Sequence, residues 1–521
     1  MPFPDFDAAE SANNVLISEE RSYDKDNLIV EFQQHFVKLT DEQRSIFNEI
    51  ISAVEAGNGG VFFVYGYGGT GKTFLWNTLS AAIRSKGQIV LNVASSGIAS
   101  LLLPGGRTAH SRFRIPLNIT EDSICSIKAN SDAANLLRET SLIIWDEAPL
   151  MNKYCFQALD RTLNDILPTQ SASGSKSYFG GKVVVFGGDF RQCLPVIQGG
   201  TPEEIVSSSL SSSTIWDDCK VLKLTKNMRL TQGSLPSDAE SIREFSEWLL
   251  QLGEGRLGGP NDGRAVITIP DDILIQDSAD PLQDLIDFAY PSILQNFNDP
   301  TYWKERAVPA PTNEVVHDIN DRLLSIIPGE EKEYFSSDSL CQTERVEDVF
   351  NPNMYSPDFL NGLELSGLPP HRLVLKVGAP VILLRNFDQK NGLCNGTRLQ
   401  IVSLGKHVIE AEVISGSNIG FRTFLPRLSI SPTDKSIPFK FQRRQFPISL
   451  CFGMTINKSQ GQSLSKVALY LKNPCFSHGQ LYVALSRVKS RSGLKVLILD
   501  EDGKVTNKTV NVVFKSVFSN L

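Results

Sequence analysis

The chain has 521 residues, of which 41% are hydrophobic and 21% are charged, with 38 Gly and 27 Pro. This ordinary composition excludes a collagenous, low-complexity or wholly disordered chain, and the length suits about two to four domains. The eight Cys are scattered without a CxxC pair, so neither a disulfide framework nor a zinc site is expected. Because no apolar run reaches about 18 residues, no membrane span is predicted.

The net charge of −7 is distributed unevenly along the chain. Residues 391–521 hold 18 Lys and Arg against 6 Asp and Glu, a net charge of +12, which leaves −19 on residues 1–390. A basic segment of this size indicates a part of the protein that could face phosphates. The alternative, a basic surface that is merely solvated, stays open at this point.

The first third of the chain alternates apolar strand-like segments with helical ones. Residues 1–38 are polar and acidic, which predicts a loose and partly disordered leader. An amphipathic helix follows from residue 39, with Thr40 as a candidate cap. The uninterrupted apolar character of the strands predicts a parallel α/β sheet. The predicted strands are Val61–Tyr65, Ile89–Ala94, Ser141–Asp146 and Lys182–Phe186.

The second half of the chain changes character twice. Helices are predicted at residues 241–252, 281–289 and 313–327, and residues 328–370 are expected to be irregular. Short β-like segments then occur at residues 373–377, 379–384, 398–403, 408–414, 421–425 and 439–443. Strand and helix alternate again over residues 466–499. The simplest architecture is two α/β domains with a β-rich insertion in the second.

The strongest motif is GYGGTGKT at Gly66–Thr73, which matches GxxxxGK[ST] at all four fixed positions. It lies between a predicted strand and a predicted helix, where backbone N–H groups can wrap a phosphate. Lys72 would bridge the β- and γ-phosphates of a nucleotide, and the Thr73 hydroxyl would hold Mg²⁺. The alternative is a glycine turn with a surface lysine. The residues predicted to bind the nucleotide here are Gly66, Gly68, Gly69, Thr70, Gly71, Lys72 and Thr73.

Polar residues follow two of the later strands. Asp146 and Glu147 end the third apolar segment, where Asp146 would bind Mg²⁺ and Glu147 would act as general base on the attacking water. Gln192 follows the fourth strand and could contact the γ-phosphate and the lytic water. A solvated helix start and a glycine turn with a polar tip are the alternatives for these two sites.

Three further residues have side chains suited to nucleotide chemistry. Arg229 and Arg487 are candidate arginine fingers, since a guanidinium can stabilise the charge that develops in phosphoryl transfer. Gln43 could pair with adenine through its amide. Taken alone, an arginine in a surface ion pair or a solvated glutamine would be the commoner interpretation.

Taken together, the motifs resemble those of a known helicase family. In chain order they are the P-loop, Asp146-Glu147, GGDFRQ, LTKNMR, TINKSQGQSL and LYVALSR. This set resembles the petite-integration-frequency (Pif-one-type) DNA helicases of the RecD-like branch of helicase superfamily one, over about residues 39–500. The DEAP and LTKNMRL stretches are most similar to the helicase part of Helitron-type transposons.

The resemblance implies a fold of two RecA-like P-loop NTPase domains with parallel sheets, with ATP between them and a small SH3-like β-barrel inserted in the second. The acidic leader would occupy residues 1–38 and the first RecA-like domain residues 39–225. The second domain would comprise residues 226–390 and 446–521, with the inserted barrel at 391–445.

The resemblance also implies an ATP-dependent 5′-to-3′ DNA helicase that translocates on single-stranded DNA, with roles in DNA repair, recombination or telomere maintenance. ATP and Mg²⁺ would be its cofactors, single-stranded DNA and duplex junctions its partners, and a monomer the acting form. A nuclear location is what the family implies, and no mitochondrial import signal is seen. The single-strand contacts would be made by Ser95, Gly97, Thr108, His110, Thr455, Lys458, Ser459 and Gln460.

Two other functions remain as alternatives. A non-motor P-loop protein, such as a kinase or a metabolic ATPase, would hydrolyse ATP without stimulation by single-stranded DNA and without need of Arg487. A silent paralogue would bind DNA without hydrolysis. The family's usual His before Lys-Ser-Gln-Gly is Asn457 in this chain, which bears on the coupling strength rather than on the class.

Overall fold

The computed structural model describes residues 14–167, 177–228, 236–259, 262–276, 278–341, 356–365, 367–389, 391–416, 418–432, 437, 439–519 and 521. It divides into two compact units. The first comprises Met1–Ala265, Ser477–Tyr482 and Asn511–Leu521, and the second comprises Val266–Phe476 and Val483–Val510. In the described residues, no helix is both long and apolar enough to cross a membrane.

A six-stranded parallel sheet forms the centre of the first unit. Its strands are β1 (Gly60–Gly66), β2 (Ile89–Ala94), β3 (Arg107–Thr108), β4 (Thr140–Asp146), β5 (Val183–Gly188) and β6 (Lys220–Leu224). They lie in the order β3-β2-β4-β5-β1-β6. The predicted parallel sheet is therefore confirmed. β2 and β5 are buried along their whole length, which explains their unbroken apolar sequences.

Helices cover the strands of this sheet. The helix Asp41–Ala56 begins with a capping box formed by Thr40 and Gln43, which satisfies two backbone donors that a helix end otherwise leaves unpaired. The described helices that begin in the first unit are Val15–Arg21, Lys25–Lys38, Asp41–Ala56, Lys72–Ser85, Gly97–Ser100, Ala109–Phe113, Asp132–Glu139, Lys153–Ile166, Pro202–Ser207, Pro236–Gly253 and Gln480–Leu485.

The prediction of a loose leader is wrong for residues 14–38. This stretch forms two helices, capped by the side chains of Asn14 and Asp24. Phe32 and Phe36 pack against Phe47, with ring centroids 5.8 and 5.4 Å apart. The stretch is ordered by tertiary contacts that its polar composition does not reveal. The predicted disorder of residues 1–13 lies outside the described residues.

The first unit also contains residues that the sequence analysis assigned to the second domain. Asn511 Nδ2 donates to the Leu252 carbonyl at 2.8 Å, and the Val513 N–H donates to the Gly263 carbonyl at 3.1 Å. These bonds hold the end of the chain on the first unit, beside the end of helix Pro236–Gly253. Contacts between residues about 250 positions apart leave no local pattern in the sequence.

The remaining strands are shared among the smaller sheets. They are β7 (Arg264–Thr268), β8 (Arg306–Ala310), β9 (Lys332–Phe335), β10 (Ser337–Leu340), β11 (Arg372–Leu375), β12 (Pro380–Leu383), β13 (Arg398–Leu404), β14 (Val408–Val413), β15 (Arg422–Pro426), β16 (Leu428–Ile430), β17 (Phe441–Gln445), β18 (Ile448–Leu450), β19 (Gly453–Thr455), β20 (Lys466–Leu471), β21 (Leu494–Ile498) and β22 (Lys508–Val512).

The second unit is built on a four-stranded parallel sheet in the order β19-β8-β20-β21. This confirms a second RecA-like layer. Trp303 and Tyr290 are among the aromatic side chains of its core. The described helices that accompany it are Pro281–Ala289, Ile293–Asn296, Pro300–Lys304, Asn313–Ile326, Pro357–Asn361 and Ile456–Ser459.

The β-rich insertion contains a five-stranded antiparallel sheet in the order β15-β14-β13-β12-β18. The predicted limits 391–445 are too narrow for this sheet, because β12 and β18 lie outside them and pair with each other. Residues 328–370, predicted to be irregular, contain β9 and β10. A fully buried ion pair at 2.7 Å between Asp338 and Arg443 fastens β10 to β17. The SH3-like closure of the insertion stays a prediction.

Candidate active site

The P-loop connects β1 to the helix Lys72–Ser85, as predicted. Gly71 has φ +81°, and a Cβ at this position would lie 2.4 Å from Gln43 Nε2, so only glycine fits. The Lys72 ammonium donates to the Gly66 carbonyl, which holds it at the centre of the loop. Thr73 is half-buried in the first turn of the helix, where the helix dipole favours phosphate.

The side chain of Gln43 holds the P-loop through a hydrogen bond to its backbone. Its Oε1 accepts from the Thr40 N–H at 3.1 Å, and its Nε2 donates to the Thr70 carbonyl at 3.0 Å. The side chain is fully buried. The structure therefore gives Gln43 a role in holding the loop, while its contact with adenine stays a prediction.

Asp146 is the last residue of β4 and is only 7% exposed. Its Oδ1 is buried without a hydrogen-bond partner among the described residues. Burying a carboxylate oxygen without a hydrogen bond costs free energy unless the oxygen binds a cation, and Mg²⁺ prefers carboxylate oxygens as ligands. The described residues contain no cluster of three His, Cys, Asp or Glu that could hold a metal.

Glu147 follows directly and has a strained backbone. Its φ of +51° is in the left-handed region, which is rare for a residue with a side chain and is concentrated at functional sites. The side chain is half-buried. The role of Glu147 as general base beside Asp146 stays a prediction.

Gln192 follows β5, which lies between β1 and β4 in the sheet. Because the carboxyl ends of parallel strands share one edge, the P-loop, the acidic pair and Gln192 are brought to the same edge of the sheet. Gln192 is 4% exposed, and its N–H donates to the Asp189 carbonyl at 3.0 Å. The prediction that these residues share a site is thus supported by topology.

A buried polar network supports Gln192, and the sequence analysis missed it. The Asp189 carboxylate accepts from Arg191 Nη1 at 3.1 Å and from the Tyr482 hydroxyl at 2.9 Å. Arg191 also pairs with Glu254 at 2.6 Å. Asp189 and Arg191 lie inside the GGDFRQ motif and Tyr482 inside LYVALSR, so the motifs were the available signal. The contact between the two motifs had no signal in the sequence, because Asp189 and Tyr482 are 293 positions apart.

His478 completes this network from the C-terminal side. The Phe514 N–H donates to Nδ1 at 2.8 Å, so Nε2 carries the proton and donates to the Phe190 carbonyl at 2.8 Å. Burial lowers the pKa of His478 to about 4. The ring is therefore neutral at physiological pH and acts as a fixed hydrogen-bonding bridge.

Arg229 lies outside the described residues, but the chain leading to it is anchored on the P-loop. The Met228 N–H donates to the Gly69 carbonyl at 2.9 Å, and the Tyr67 hydroxyl donates to the Thr225 carbonyl at 2.8 Å. These bonds fix the backbone one residue before Arg229. The role of Arg229 as a finger stays a prediction.

The predicted DNA contacts of the first unit lie at the ends of β2 and β3. Ser95 Oγ accepts from Trp145 Nε1 at 3.1 Å, and the Ser95 N–H donates to the Asp146 carbonyl at 3.1 Å. Gly97 begins a one-turn helix, and Thr108 caps the helix that carries His110. Burial lowers the pKa of His110.

The predicted DNA contacts of the second unit are buried to different degrees. Thr455 and Lys458 are half-buried around the short helix Ile456–Ser459, and burial lowers the pKa of Lys458. Ser459 and Gln460 are buried, and the Ser459 hydroxyl donates to the Ile456 carbonyl at 2.7 Å. These two stay predictions as DNA contacts, since the structure places neither at the surface.

Arg487 is 7% exposed and is bonded inside the second unit. Its Nε donates to the Val483 carbonyl at 2.9 Å, and its Nη1 donates to the Gln462 carbonyl at 3.3 Å. The guanidinium thereby links the segment around Gln462 to the helix Gln480–Leu485, which directly precedes Arg487. Its role as a finger stays a prediction.

Comparison with known families gives two matches. A model described as PIF1-like helicase matches residues 38–263, and a model of the 2B domain of DNA helicase Pif1 matches residues 358–404. Relatives named ATP-dependent DNA helicase PIF1 are 25% identical in Candida albicans, over 92% of this chain, and 24% identical in Homo sapiens, over 89%. This chain spans 56% and 61% of their lengths. A Pif1 helicase of Campylobacter jejuni is 26% identical over 83% of this chain and 88% of its own length.

Solved structures show the same fold. The Pif1 helicase from Candida albicans has a TM-score of 0.58 at 24% identity, covering 92% of this chain and 98% of that one. A Bacteroides Pif1 helicase in complex with ADP-AlF3 and ssDNA has a TM-score of 0.59 at 24% identity, covering 88% of this chain and 92% of that one. A likeness to the Helitron-type branch in particular is not among these findings.

Proposed function

This chain belongs to the PIF1-like helicase family, and on that premise we propose that it is an ATP-driven motor that translocates on single-stranded DNA and unwinds duplexes. The observation that supports this most is the shared sheet edge in the first unit. The P-loop follows β1, Asp146 ends β4 and Gln192 follows β5, so the parallel topology brings toward one edge a set of residues suited to handling phosphates.

In the proposed reaction, Lys72 holds the β- and γ-phosphates of ATP, and the P-loop backbone supplies further donors. Mg²⁺ would be held by the Thr73 hydroxyl and the orphaned Asp146 carboxylate oxygen, and it would neutralise phosphate charge. Glu147 accepts the proton of the attacking water, and Gln192 orients that water. Arg229 and Arg487 stabilise the charge that develops on the transferred phosphoryl group.

Single-stranded DNA is the proposed substrate, with Ser95, Gly97, Thr108 and His110 in the first unit and Thr455 and Lys458 in the second as contacts. The net charge of +12 on residues 391–521 supports a phosphate-facing role for that part of the chain. Pif1 helicases of other organisms are described as bound to ssDNA or at forked dsDNA, which supports the same class of substrate.

The finer features of the proposal follow from the family alone. They are 5′-to-3′ polarity, action as a monomer, a nuclear location, and a role in DNA repair, recombination or telomere maintenance. One neighbour is described as two coordinating Pif1 helicases at forked dsDNA, so sedimentation of the chain on a fork is the check on the monomer.

The deciding experiment is steady-state ATP hydrolysis with and without a single-stranded oligonucleotide, followed by strand displacement on duplexes with 5′ or 3′ tails. Stimulated hydrolysis with displacement only from 5′ tails is the expected result. A rate of ATP hydrolysis that DNA does not change would favour a non-motor P-loop ATPase. Binding of DNA without hydrolysis would favour a silent paralogue.

A further inference from the structure

The two N-terminal helices Val15–Arg21 and Lys25–Lys38 lie almost wholly outside the stretch that matches the family model, which starts at residue 38. They nonetheless belong to the first unit. The first helix carries Glu20, a carboxylate that is only 6% exposed. A carboxylate this deeply buried is rare unless it is paired, so its partners indicate what it is for.

Glu20 is shared by two buried arginines. Its Oε1 lies 2.5 Å from Arg112 Nη2, and its Oε2 lies 3.3 Å from Arg84 Nη2. The side chains of Arg84 and Arg112 are 2% and 5% exposed, and among the described residues the Nε atoms of both have no hydrogen-bond partner. Tyr23 lies over the Arg84 guanidinium at 4.1 Å. Glu20 is thus the carboxylate that offsets two desolvated cations.

One of these arginines belongs to a candidate DNA-binding helix. Arg112 is in Ala109–Phe113, the helix that Thr108 caps and that carries His110. Arg84 donates to the Pro104 carbonyl at 3.0 Å, at the start of the loop that leads to this helix. A Cβ at Gly105 would lie 2.1 Å from the Tyr23 hydroxyl, so the loop is packed closely against the N-terminal segment.

We propose that Glu20 is a positioning residue for single-stranded DNA: through Arg112 and Arg84 it fixes the segment Pro104–Phe113 so that Thr108 and His110 are presented to the strand. This rests on the proposed function. The buried guanidinium groups are inaccessible to phosphate, so the cluster acts on DNA through the backbone it holds. The N-terminal segment is then a working part of the DNA-binding surface of this chain.

The test is Glu20→Gln, which keeps the shape of the side chain and removes its charge. The readout is the concentration of an oligothymidylate that gives half-maximal stimulation of ATP hydrolysis, measured together with the maximal rate and the DNA-free rate. We expect the half-maximal concentration to rise about tenfold, since small misplacements of binding groups have effects of this order. The maximal and DNA-free rates should stay within about twofold.

The matched control is Glu139→Gln. Glu139 pairs with Arg21, which lies in the same helix as Glu20. Both side chains are exposed, at 40% and 53%, and neither touches residues 104–113 in the pairs described. This variant should bind DNA as the wild type does. Arg112→Gln should reproduce the effect of Glu20→Gln, and the double variant should be no weaker than either single one, because the two groups act as a unit.

Two results separate the proposal from its premise. An unchanged half-maximal concentration in Glu20→Gln, or tighter binding, would overturn the positioning role even if the melting temperature falls. If Glu20→Gln does not fold, Glu20→Asp keeps the charge on a shorter side chain and should show the same selective rise. A wild-type chain that DNA does not stimulate would instead refute the proposed function.

Discussion

The two parallel sheets of this protein carry polar residues in different ways. Along the edge of the six-stranded sheet, Lys72, Thr73 and Glu147 are half-buried, and Asp146 presents an unpaired oxygen. Beside the four-stranded sheet, Ser459 and Arg487 are buried and bonded to carbonyl groups of their own unit. The edge of the first sheet thus leaves the Asp146 oxygen without a partner among the described residues, as a side chain kept for a ligand would be, whereas Ser459 and Arg487 brace the backbone beside the second sheet.

The difference teaches how substitutions should behave. A side chain kept for a ligand contributes little to folding, so its loss should reduce activity and leave stability unchanged. A side chain that braces buried carbonyl groups serves the fold, and its loss should reduce stability as well. Measuring activity and melting temperature on the same variants tests whether the two kinds of side chain differ in this way.

The largest effect is expected for Arg487→Ala. Loss of the finger should lower DNA-stimulated kcat by about 10³-fold. Loss of the bonds to the Val483 and Gln462 carbonyls should lower the free energy of unfolding by roughly 2–3 kcal/mol. Hydrolysis assays and chemical denaturation measure the two effects.

Arg491→Ala is the control for Arg487→Ala, since Arg491 pairs with Asp272 on the surface and should change either quantity little. Full hydrolysis by Arg487→Ala would refute the finger, and unchanged stability would refute the bracing role.

Lys72→Ala should lower kcat by about 10²–10³-fold, since it removes the cation that faces the phosphates. The melting temperature should not change measurably, because the side chain is half-buried at a loop. Lys86→Ala, an exposed lysine just after the end of the same helix, is the control and should keep full activity. A large fall in the melting temperature of Lys72→Ala would remove the contrast between the two sheets.

The pH dependence of stability should originate in the first unit, at His478. Burial lowers the pKa of this histidine to about 4, below the ordinary value of 6.5, so the unfolded chain binds a proton that the folded chain does not. The stability it contributes is fully present above pH 6.5 and is lost as the pH falls toward 4. The expected loss is about 2 kcal/mol between pH 7 and pH 5.

Melting curves at several pH values test this, with His478→Gln expected to flatten the dependence. His407→Gln, which alters an exposed histidine of the second unit, should leave the slope unchanged. Equal slopes in the wild type and in His478→Gln would contradict the assignment.

The smallest effect is expected for Lys458→Gln. A single phosphate contact should be lost, lowering the affinity for single-stranded DNA about threefold and the slope of log affinity against log salt by about 0.7. Titration of a labelled oligonucleotide at several salt concentrations measures both quantities. Lys472→Gln, which alters an exposed lysine paired with Asp318, is the control. An unchanged salt slope would remove Lys458 from the DNA contacts.

Much of the fold was predictable because strands and helices are local patterns. Ile89–Ala94 and Pro281–Ala289 have the predicted bounds. β8 was missed because its sequence RAVPA is short and contains a proline. The helices of residues 14–38 were missed because their order comes from Phe32 and Phe36 packing on Phe47 and from Glu20 pairing with distant arginines.

The candidate site divides in the same way. The residues of the P-loop are contiguous in the chain, and so are the two residues of the acidic pair. The sequence alone could therefore indicate the chemistry of each. Glycine torsions, helix dipoles and carboxylate oxygens act at the scale of a few residues. The sequence by itself thus determined the family and the parallel sheets, and it carries the prediction of the residues that handle phosphate.

The tertiary structure alone decided which polar residues are paired with one another and so brace the fold. Glu20 with Arg112, Asp189 with Tyr482, and His478 with Phe190 join residues 92 to 293 positions apart. Burial sets whether each charge must be paired, and burial depends on every element packed around it. No local pattern carries that information, which is why these contacts emerge only once the chain is folded.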